Sequence, residues 1–303
     1  MNIKQALQWG ADKLKKNTYL NTYFLDAEIL LSYAINKPKE FLFAHPEKKL
    51  APAQLAKYKK IIAHRAKREP IAYITGKKEF YSRNFLVSPA VLIPRPDTET
   101  LIDVAKKTVG GFAPYSTIID IGAGSGAIAI TLKKEFPRAR VIAIEISPEA
   151  IKLARKNAHA LNAKITIKKG DLLSPFLYEQ RLPLLIKKNL IITANLPYLS
   201  EKGWREAQPE VKKYEPKGAL VGGKTGTELY EKLFKQIREL VTADKGDPCK
   251  ALQGSPLSAT LLIEIGATQK TQITKLLKEY LKPKKIEAFK DLSGKWRVIN
   301  CKL

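Results

Sequence analysis

The stretch IIDIGAGSG, residues 118–126, joins a short apolar run to a glycine-rich turn. The run 118–121 has the length and composition of a buried strand, and a helical pattern begins where the glycines end. Glycine tolerates a positive φ and lets a ligand approach the backbone closely, which suits a nucleotide at the start of a helix. The stretch therefore predicts an α/β fold with a nucleotide site at this turn.

Strand-like and helix-like segments alternate on the carboxyl-terminal side of this stretch. Further strands are predicted at 141–144, 165–167, 190–193, 261–265, 285–290 and 296–301. Helices are predicted near 126–135, 148–161 and 227–241, with another after 265. Such alternation is typical of a mostly parallel sheet that helices cover on both faces. Residues 242–258 are rich in Gly, Pro, Ser and Asp and are predicted to form a surface loop.

The chain before the α/β region has a different pattern. Residues 1–70 are predicted to form a small helical domain, in which Asp26 caps one helix and Pro52 opens another. Residues 71–95 contain short β-rich runs, beginning at Ile71, and are predicted to form a β-hairpin linker. We therefore expect three parts: 1–70, 71–95 and an α/β domain over 96–303.

Composition narrows the class of protein. The 303 residues are 45% hydrophobic, yet no stretch approaches the roughly 20 apolar residues of a membrane-spanning helix. The first residues lack the apolar run of a secretory signal, so we expect a cytoplasmic protein. Cys249, Cys301 and the three histidines have no partners at ligand spacing, so we expect neither a disulfide nor a metal site.

The net charge is strongly positive. The chain has 54 basic and 29 acidic residues, a formal charge of +25. Such a charge favours polyanionic neighbours such as RNA or the ribosome. The excess is spread along the chain and is mostly lysine, so a solvated lysine-rich surface explains it equally well.

Acidic residues at the ends of the predicted strands suit a nucleotide ligand. Glu145 lies about 20 residues beyond the glycine turn, where a carboxylate can accept hydrogen bonds from ribose hydroxyls. Asp120 and Asp171 would suit a ligand that carries a positive charge and an adenine amine, as S-adenosylmethionine does. Ala127 completes a Gly-x-Gly-x-x-Ala pattern that also fits NAD, so the glycine turn alone leaves both cofactors open.

The tetrapeptide Asn195-Leu196-Pro197-Tyr198 follows the fourth predicted strand of the sheet, at the edge where ligands bind in open α/β folds. A planar amide or amine is a poor nucleophile because its lone pair is delocalised. The Asn195 side-chain oxygen and the Leu196 carbonyl could accept both of its N–H bonds and direct the lone pair at a methyl donor. Positioning of this kind contributes on the order of 7–11 kcal/mol in favourable cases. Tyr198 would offer a flat face to the acceptor.

Several motifs along nearly the whole chain resemble one family, the peptide chain release factor glutamine methyltransferases of the HemK/PrmC type. The motifs are REPIAYITG (68–76), VLIPRPDTE (91–99), the glycine turn with Glu145, the 195–198 tetrapeptide, YEPKGAL (214–220) with Gly222-Gly223, and DLSGKWRV (291–298). The segment at 91–99 is much more specific than a glycine-rich turn.

The resemblance implies a seven-stranded, Rossmann-like S-adenosylmethionine methyltransferase domain, preceded by a helical release-factor-recognition domain and a β-hairpin linker. It implies transfer of a methyl group to the glutamine amide in the Gly-Gly-Gln motif of release factors, with S-adenosylhomocysteine as product, by a monomer. By motif match, the cofactor contacts would be Gly122, Ala123, Gly124, Ser125, Gly126, Glu145, Leu172 and Asn195. Residues 195–198 would contact the glutamine, and the pocket would be framed by Arg95, Pro96, Thr98 and Glu99.

Three positions depart from the family pattern. The family usually has proline where Leu196 stands, aspartate where Glu145 stands, and often an aromatic residue where Leu172 stands. Glu145 would therefore reach about one carbon further toward the ribose, and Leu196 loses one fixed φ.

Three other functions compete with this one. The same Asn-Leu-Pro-Tyr loop occurs in ribosomal RNA adenine dimethyltransferases, which suit a basic protein but carry their extra helices after the catalytic domain. A glutamine methyltransferase acting on a ribosomal protein would share most of the motifs. A nucleotide-binding scaffold without turnover would bind cofactor but have no activity to lose.

Overall fold

A computed structural model describes two compact units of this chain. The described residues are 1–17, 22–109, 116–178, 190–242 and 259–303. The first unit comprises Met1–Lys77 and Gln208–Tyr214, and the second comprises Lys78–Ala207 and Glu215–Leu303. From residue 243 onward, the loop predicted at 242–258, with Cys249, lies outside the described residues.

The first unit is helical. Its elements are α1 (Ile3–Asn17), α2 (Tyr23–Ile35), α3 (Lys39–Ala44), α4 (Pro52–Ala66) and α5 (Ile71–Thr75). Tyr58 of α4 is fully buried at its centre and donates a hydrogen bond to the Ala27 carbonyl (3.3 Å). Gly10 of α1 makes room for this ring, because a Cβ there would lie 2.0 Å from the Tyr58 hydroxyl. Pro52 opens α4, as predicted.

Asp26 does not cap a helix, so that prediction was wrong. It lies inside the first turn of α2, and its carboxylate pairs with Arg65 of α4 at 2.7 Å. Each of the two side chains is only 6% exposed. The partner lies 39 residues away along the chain, so the local pattern around Asp26 could not show it.

The predicted strand at Ile71 is also wrong, because Ile71–Thr75 forms the short helix α5. Its first turn closes on the Pro70 carbonyl, which accepts from Tyr73 N (2.9 Å), and Gly76 ends it with a φ of 71°. Ile71 and other apolar residues of the segment pack against the helical core. Tertiary packing here overrides the strand propensity of β-branched residues.

A later segment of the chain belongs to the first unit. Two short helices, α10 (Glu201–Glu206) and α11 (Pro209–Tyr214), follow each other in the chain. Helix α11 belongs to the first unit and contacts residues just after the end of α4. The Tyr214 hydroxyl donates to the Lys67 carbonyl (2.8 Å), and Arg68 pairs with Glu210 at 3.2 Å. The motifs at 68–76 and 214–220 therefore meet in part within this unit.

The second unit contains a seven-stranded sheet. Its strands are β3 (Thr117–Ile121), β4 (Arg140–Glu145), β5 (Thr166–Lys169), β6 (Leu190–Ala194), β9 (Ala259–Glu264), β10 (Lys285–Lys290) and β11 (Trp296–Lys302). Their order is β10-β11-β9-β6-β3-β4-β5. All neighbouring pairs are parallel except those that β11 makes with β9 and β10. The α/β fold class with seven strands is confirmed.

Helices cover both faces of this sheet. They are α6 (Glu99–Val109), α7 (Ala127–Glu135), α8 (Pro148–Ala160), α9 (Ser174–Tyr178), α12 (Glu228–Thr242) and α13 (Lys270–Leu281). Alternate residues of each central strand enter opposite cores: Ile119 packs with the α12 side, and Ile118 packs with α6 and α7. Burial on both faces explains why these strands are nearly continuous apolar runs.

A β-hairpin precedes the sheet, formed by β1 (Lys77–Phe80) and β2 (Arg83–Leu86). Its two turn residues, Tyr81 and Ser82, both have positive φ, as a tight two-residue hairpin requires. The strand pair β7 (Leu199–Ser200) and β8 (Val221–Gly223) forms a second small sheet. Among the described residues, no helix has the length and apolar character needed to cross a membrane.

We expect the buried Asp26–Arg65 pair to stabilise the first unit strongly. Arg65→Ala should destabilise it by about 3–5 kcal/mol, because it leaves Asp26 buried without a partner. Hydrogen exchange of the amides in α2 and α4 measures the loss. The control is Glu206→Ala, which removes an exposed pair with Lys202 and should change stability by less than about 1 kcal/mol. Unchanged exchange in Arg65→Ala would contradict the prediction.

Candidate active site

The glycine turn connects β3 to α7 in a conformation that requires glycine. Gly122, Gly124 and Gly126 have φ values of 70°, 54° and 81°, a region that side chains with a Cβ rarely adopt. Gly122 N and Ala123 N both donate to the Ile144 carbonyl of β4, at 2.9 and 3.0 Å. The turn is therefore fixed to the neighbouring strand, as a cradle for a ligand at the edge of the sheet requires.

Glu145 ends β4 beside this turn and organises its backbone. One carboxylate oxygen accepts from Gly124 N at 2.8 Å, and the other accepts from Ile146 N and Ser147 N at 2.8 and 2.9 Å. A carboxylate has about four acceptor positions, so these bonds use three of them. The predicted ribose contact would take the remaining position or displace a backbone bond.

Asp120 lies beneath the glycine turn and is almost fully buried. Its carboxylate accepts from the Thr193 hydroxyl (2.8 Å) and from Ala129 N of α7 (3.2 Å). Burial raises the pKa of this carboxyl to about 7, the nearby Glu145 charge adds to the rise, and the two hydrogen bonds oppose it. In the structure, the Asp120 carboxylate is therefore bonded to protein groups and is not exposed at the surface of the site.

The turn after β5 carries the next two predicted contacts. Gly170 N donates to the Glu145 carbonyl (3.0 Å), which places this turn next to β4. Asp171 is half-exposed and its carboxylate forms an ion pair with Lys232 of α12. Leu172 has a φ of 55° and its side chain is buried in the core on the α12 side. Lys232 therefore already balances the charge that the sequence analysis assigned to a cationic ligand.

The 195–198 loop leaves β6 directly beside the glycine turn. The Leu196 side chain is buried, and a Cβ on Gly122 would lie 3.3 Å from its Cδ2 atom. The predicted acceptor end and the predicted nucleotide end therefore lie next to each other. The leucine that replaces the family's usual proline packs where the two ends meet.

The backbone of this loop is held from below. The Tyr230 hydroxyl of α12 lies 2.5 Å from the Glu264 carbonyl and 3.4 Å from the Leu196 carbonyl. A phenol has one proton, and the shorter contact takes it, so the Leu196 carbonyl keeps acceptor capacity. The Tyr198 carbonyl accepts from the Gln269 side chain at 2.9 Å.

The Tyr198 side chain is partly buried and packs against the core on the α12 side. Burial raises the pKa of its phenol to about 12, and the Glu264 charge adds to the rise. Tyr198 also approaches Gly266, where a Cβ would lie 3.4 Å from its ring. The ring therefore belongs to the wall of the site.

Residues of the 91–99 motif serve different purposes. The Thr98 hydroxyl accepts from the Asn195 side-chain amide at 3.2 Å, and so contacts the predicted catalytic loop. Arg95 pairs with the buried carboxylate of Glu215, which also accepts from Ile93 N. The Glu99 carboxylate accepts from Tyr81 N at 2.9 Å and holds the hairpin instead of the site. The motifs at 91–99 and 214–220 therefore meet through Glu215.

A cluster near Asn195 was missed by the sequence analysis. Glu264 ends β9 and is 1% exposed, and Arg297 of β11 lies nearby. Arg297 makes two bonds to Asp291, at 3.1 and 3.0 Å, and one to Asp97 at 3.0 Å. A lone acid at the end of the apolar run 261–265 was the available signal for Glu264. The pairing of Arg297 with Asp97 had no sequence signal.

The described part of the chain contains no group of three His, Cys, Asp or Glu side chains that could hold a metal ion. Cys301 is buried in β11, and burial raises the pKa of its thiol to about 12.

Comparison with known proteins adds family matches over most of the chain. The family described as "PrmC N-terminal domain" matches residues 5–76, and "Methyltransferase small domain" matches residues 97–187. A release factor glutamine methyltransferase of Bacillus anthracis is 32% identical over 301 residues, which cover 99% of this chain and 98% of the relative. One of Koribacter versatilis is 41% identical over 215 residues, covering 71% and 74%.

A solved structure shares the fold. The hMettl16 catalytic domain, solved in complex with MAT2A 3'UTR hairpin 6, superposes with a TM-score of 0.50 at 13% identity, over 79% of this chain and 91% of that one.

We expect Gly222→Ala to displace the 195–198 loop. A Cβ at Gly222 would lie 2.0 Å from the Pro197 carbonyl oxygen, a backbone atom that cannot move aside alone. A misplacement of about 1 Å can cost roughly 100-fold in rate, so methyl transfer should fall by that order while cofactor binding persists. The matched control is Gly218→Ala, where a Cβ meets nothing within 4 Å. Equal rates in both variants would contradict the prediction.

Proposed function

Since the chain belongs to the release factor glutamine methyltransferase family, we propose that it methylates a peptide chain release factor. The acceptor is the side-chain amide nitrogen of the glutamine in the Gly-Gly-Gln motif. The methyl donor is S-adenosylmethionine, which when bound supplies an electrophilic methyl group on its sulfonium. The single observation that best supports the site is the close approach of Leu196 to the glycine turn, where a Cβ on Gly122 would lie 3.3 Å from Leu196 Cδ2.

We propose that the cofactor lies over the glycine turn. The residues fit such a group, because the positive φ at Gly122, Gly124 and Gly126 requires glycine. Glycine has no side chain that would block a close approach of the cofactor to the backbone. Glu145 offers its remaining acceptor position to the ribose. The buried Leu172 supports the adenine side, and Asn195 borders the methyl end. Ala123 and Ser125 contribute backbone.

Two acids predicted to contact the cofactor are given other roles in this proposal. Asp120 acts from beneath, by fixing the start of α7 through Ala129 N and β6 through Thr193. Asp171 is paired with Lys232, so it shapes the turn after β5 and contributes little free charge.

The acceptor amide is activated by position alone in this proposal. The Asn195 side-chain oxygen and the Leu196 carbonyl accept its two N–H bonds, which holds the plane of the amide and directs the nitrogen at the donor. Pro197 keeps Leu196 extended, and the partly buried ring of Tyr198 limits the access of water from that side. The nitrogen becomes acidic once it carries the methyl group, so it releases a proton to solvent and no strong base is needed.

The helical first unit is proposed to recognise the release factor, and residues 71–95 to link it to the catalytic part. The protein acts in the cytoplasm, where translation factors act, and as a monomer. Its charge of +25 supports a weak attraction to ribosomal RNA during encounter with the substrate.

We expect the purified protein and methyl-labelled S-adenosylmethionine to label a release factor on one residue, the glutamine of Gly-Gly-Gln. Mass mapping of the labelled protein measures the site. A release factor in which that glutamine is changed to glutamate is the control and should take up no label.

The same reaction separates the competing substrates. Label that appears only in ribosomal RNA, or only in a ribosomal protein, would overturn the proposed acceptor. Relatives named release factor glutamine methyltransferases, at 32–41% identity, favour the release factor over RNA adenine.

We expect Asn195→Ala to lower the rate of methyl transfer by at least about 100-fold, because the acceptor amide loses one of its two fixed contacts. Cofactor affinity should change by less than about tenfold, or ~1.4 kcal/mol. Initial rates with a release factor as substrate measure methyl transfer, and titration with S-adenosylhomocysteine measures cofactor affinity. The control is Asn84→Ala, an exposed asparagine of β2. Full activity in Asn195→Ala would remove the proposed amide contact.

A further inference from the structure

Glu264 and Asn195 emerge side by side from neighbouring parallel strands. Ala194 of β6 is in register with Ile263 of β9, so Asn195, which follows β6, and Glu264, the last residue of β9, lie next to each other at the same edge of the sheet. Glu264 is 1% exposed, whereas Asn195 is only partly buried. A fully buried carboxyl thus lies behind the amide that borders the acceptor site.

Hydrogen bonds connect these two side chains with Thr98. Asn195 Nδ2 donates to Thr98 Oγ1 at 3.2 Å, and the Thr98 hydroxyl and the Asn195 side chain both lie close enough to the Glu264 carboxyl to favour its charged form. An asparagine amide has two N–H donors and one oxygen acceptor. The Asn195 amide therefore turns its nitrogen toward Thr98 and Glu264, which leaves Oδ1 for a ligand.

We propose that Glu264 is a positioning residue, which holds the Asn195 amide with its oxygen toward the acceptor glutamine. This inference rests on the proposed function of the site. If the Asn195 amide were reversed, Oδ1 would face the Glu264 carboxylate, and two acceptors would meet in a buried place. Nδ2 would then face the glutamine NH2, donor against donor, and could not hold it.

One carboxylate oxygen of Glu264 accepts no hydrogen bond from the described residues, which indicates that this acid has a functional role. Its Oε2 atom is buried without a hydrogen-bond partner within the described chain. A buried group of this kind is costly and requires an explanation. Arg297 does not neutralise it by direct pairing, because its guanidinium bonds to Asp291 and Asp97. An amide of the same shape would cost less to bury, yet it lacks the charge that forbids reversal of Asn195.

Burial raises the pKa of Glu264 to about 7, which makes the proposal testable by pH. The hydrogen bond from Thr98 and the Arg297 charge oppose this rise, and the Asp97 charge adds to it. The phenols of Tyr198 and Tyr230 also face this carboxyl and stay neutral, since the pKa of each is raised. Below about pH 7 the carboxyl gains a proton, becomes a donor, and tolerates the reversed amide. Methyl transfer should therefore decline as the pH falls through 7.

The decisive variant is Glu264→Gln in the full chain, compared with wild type at saturating S-adenosylmethionine. We expect the variant to fold, to bind cofactor within about threefold of wild type, and to transfer methyl groups at pH 8 roughly tenfold or more slowly. Its rate should fall less between pH 8 and pH 6 than the wild-type rate does, and the remaining fall belongs to Asp120, whose pKa is also about 7 and which binds Thr193 at the same edge of the sheet. The control, Glu279→Gln at an exposed site of α13, should behave as wild type. A wild-type rate and pH profile in Glu264→Gln would overturn the proposal.

A second measurement needs no substrate, so it stands apart from the identity of the acceptor. In protein labelled with ¹⁵N at asparagine, the Asn195 side-chain amide resonance should titrate with a midpoint near pH 7, and Glu264→Gln should remove most of the shift, leaving the smaller effect of Asp120. A titration shift of wild-type size in the variant, or an Asn195 resonance that does not titrate in wild type, would refute the positioning role even if a release factor is methylated. Failure to label any release factor, with this titration present, would refute the acceptor and keep the role of Glu264.

Discussion

The parallel register of β3, β6 and β9 is the constraint on which the site depends. Ile121, Ala194 and Ile263 are in register across the three strands, so the three strands end at one edge of the sheet, within one residue of each other. The residues that follow them are Gly122, Asn195 and Glu264. A slip by one residue in either pairing would turn the side chains of a strand to the opposite face of the sheet. The glycine turn and the acceptor loop would then lose their contact.

Buried acids organise this edge. Asp120 and Glu145 accept hydrogen bonds from backbone groups of α7 and of the glycine turn, and Glu264 lies near side chains of the 195–198 loop and of the 91–99 motif. Burial makes the charged forms of Asp120 and Glu264 costly, which their raised pKa values express. The free-energy cost of burying these charged groups is consistent with the proposed reaction, which depends on the placement of an amide and not on a strong base.

The sequence predicted the sheet well because each central strand is buried on both faces. The run 118–121 and the observed β3, Thr117–Ile121, differ by one residue, and the other strands agree within a few residues. The errors have a common cause. Ile71–Thr75 has strand-forming residues but packs as a helix on the first unit, and Asp26 binds an arginine 39 residues away. Local patterns carry no information on such partners.

The sequence by itself determined the fold class, the glycine turn and the tetrapeptide at 195–198, because glycine, proline and apolar periodicity act over a few neighbouring residues. Only the tertiary structure decided which protein groups each acid contacts. Asp120 is bound by a hydroxyl 73 residues away, and Asp171 pairs with a lysine 61 residues away. Glu264 gained its place beside Asn195 from strand pairing. Hydrogen bonds and charges act through space, so the role of an ionisable side chain depends on the neighbours that folding brings to it.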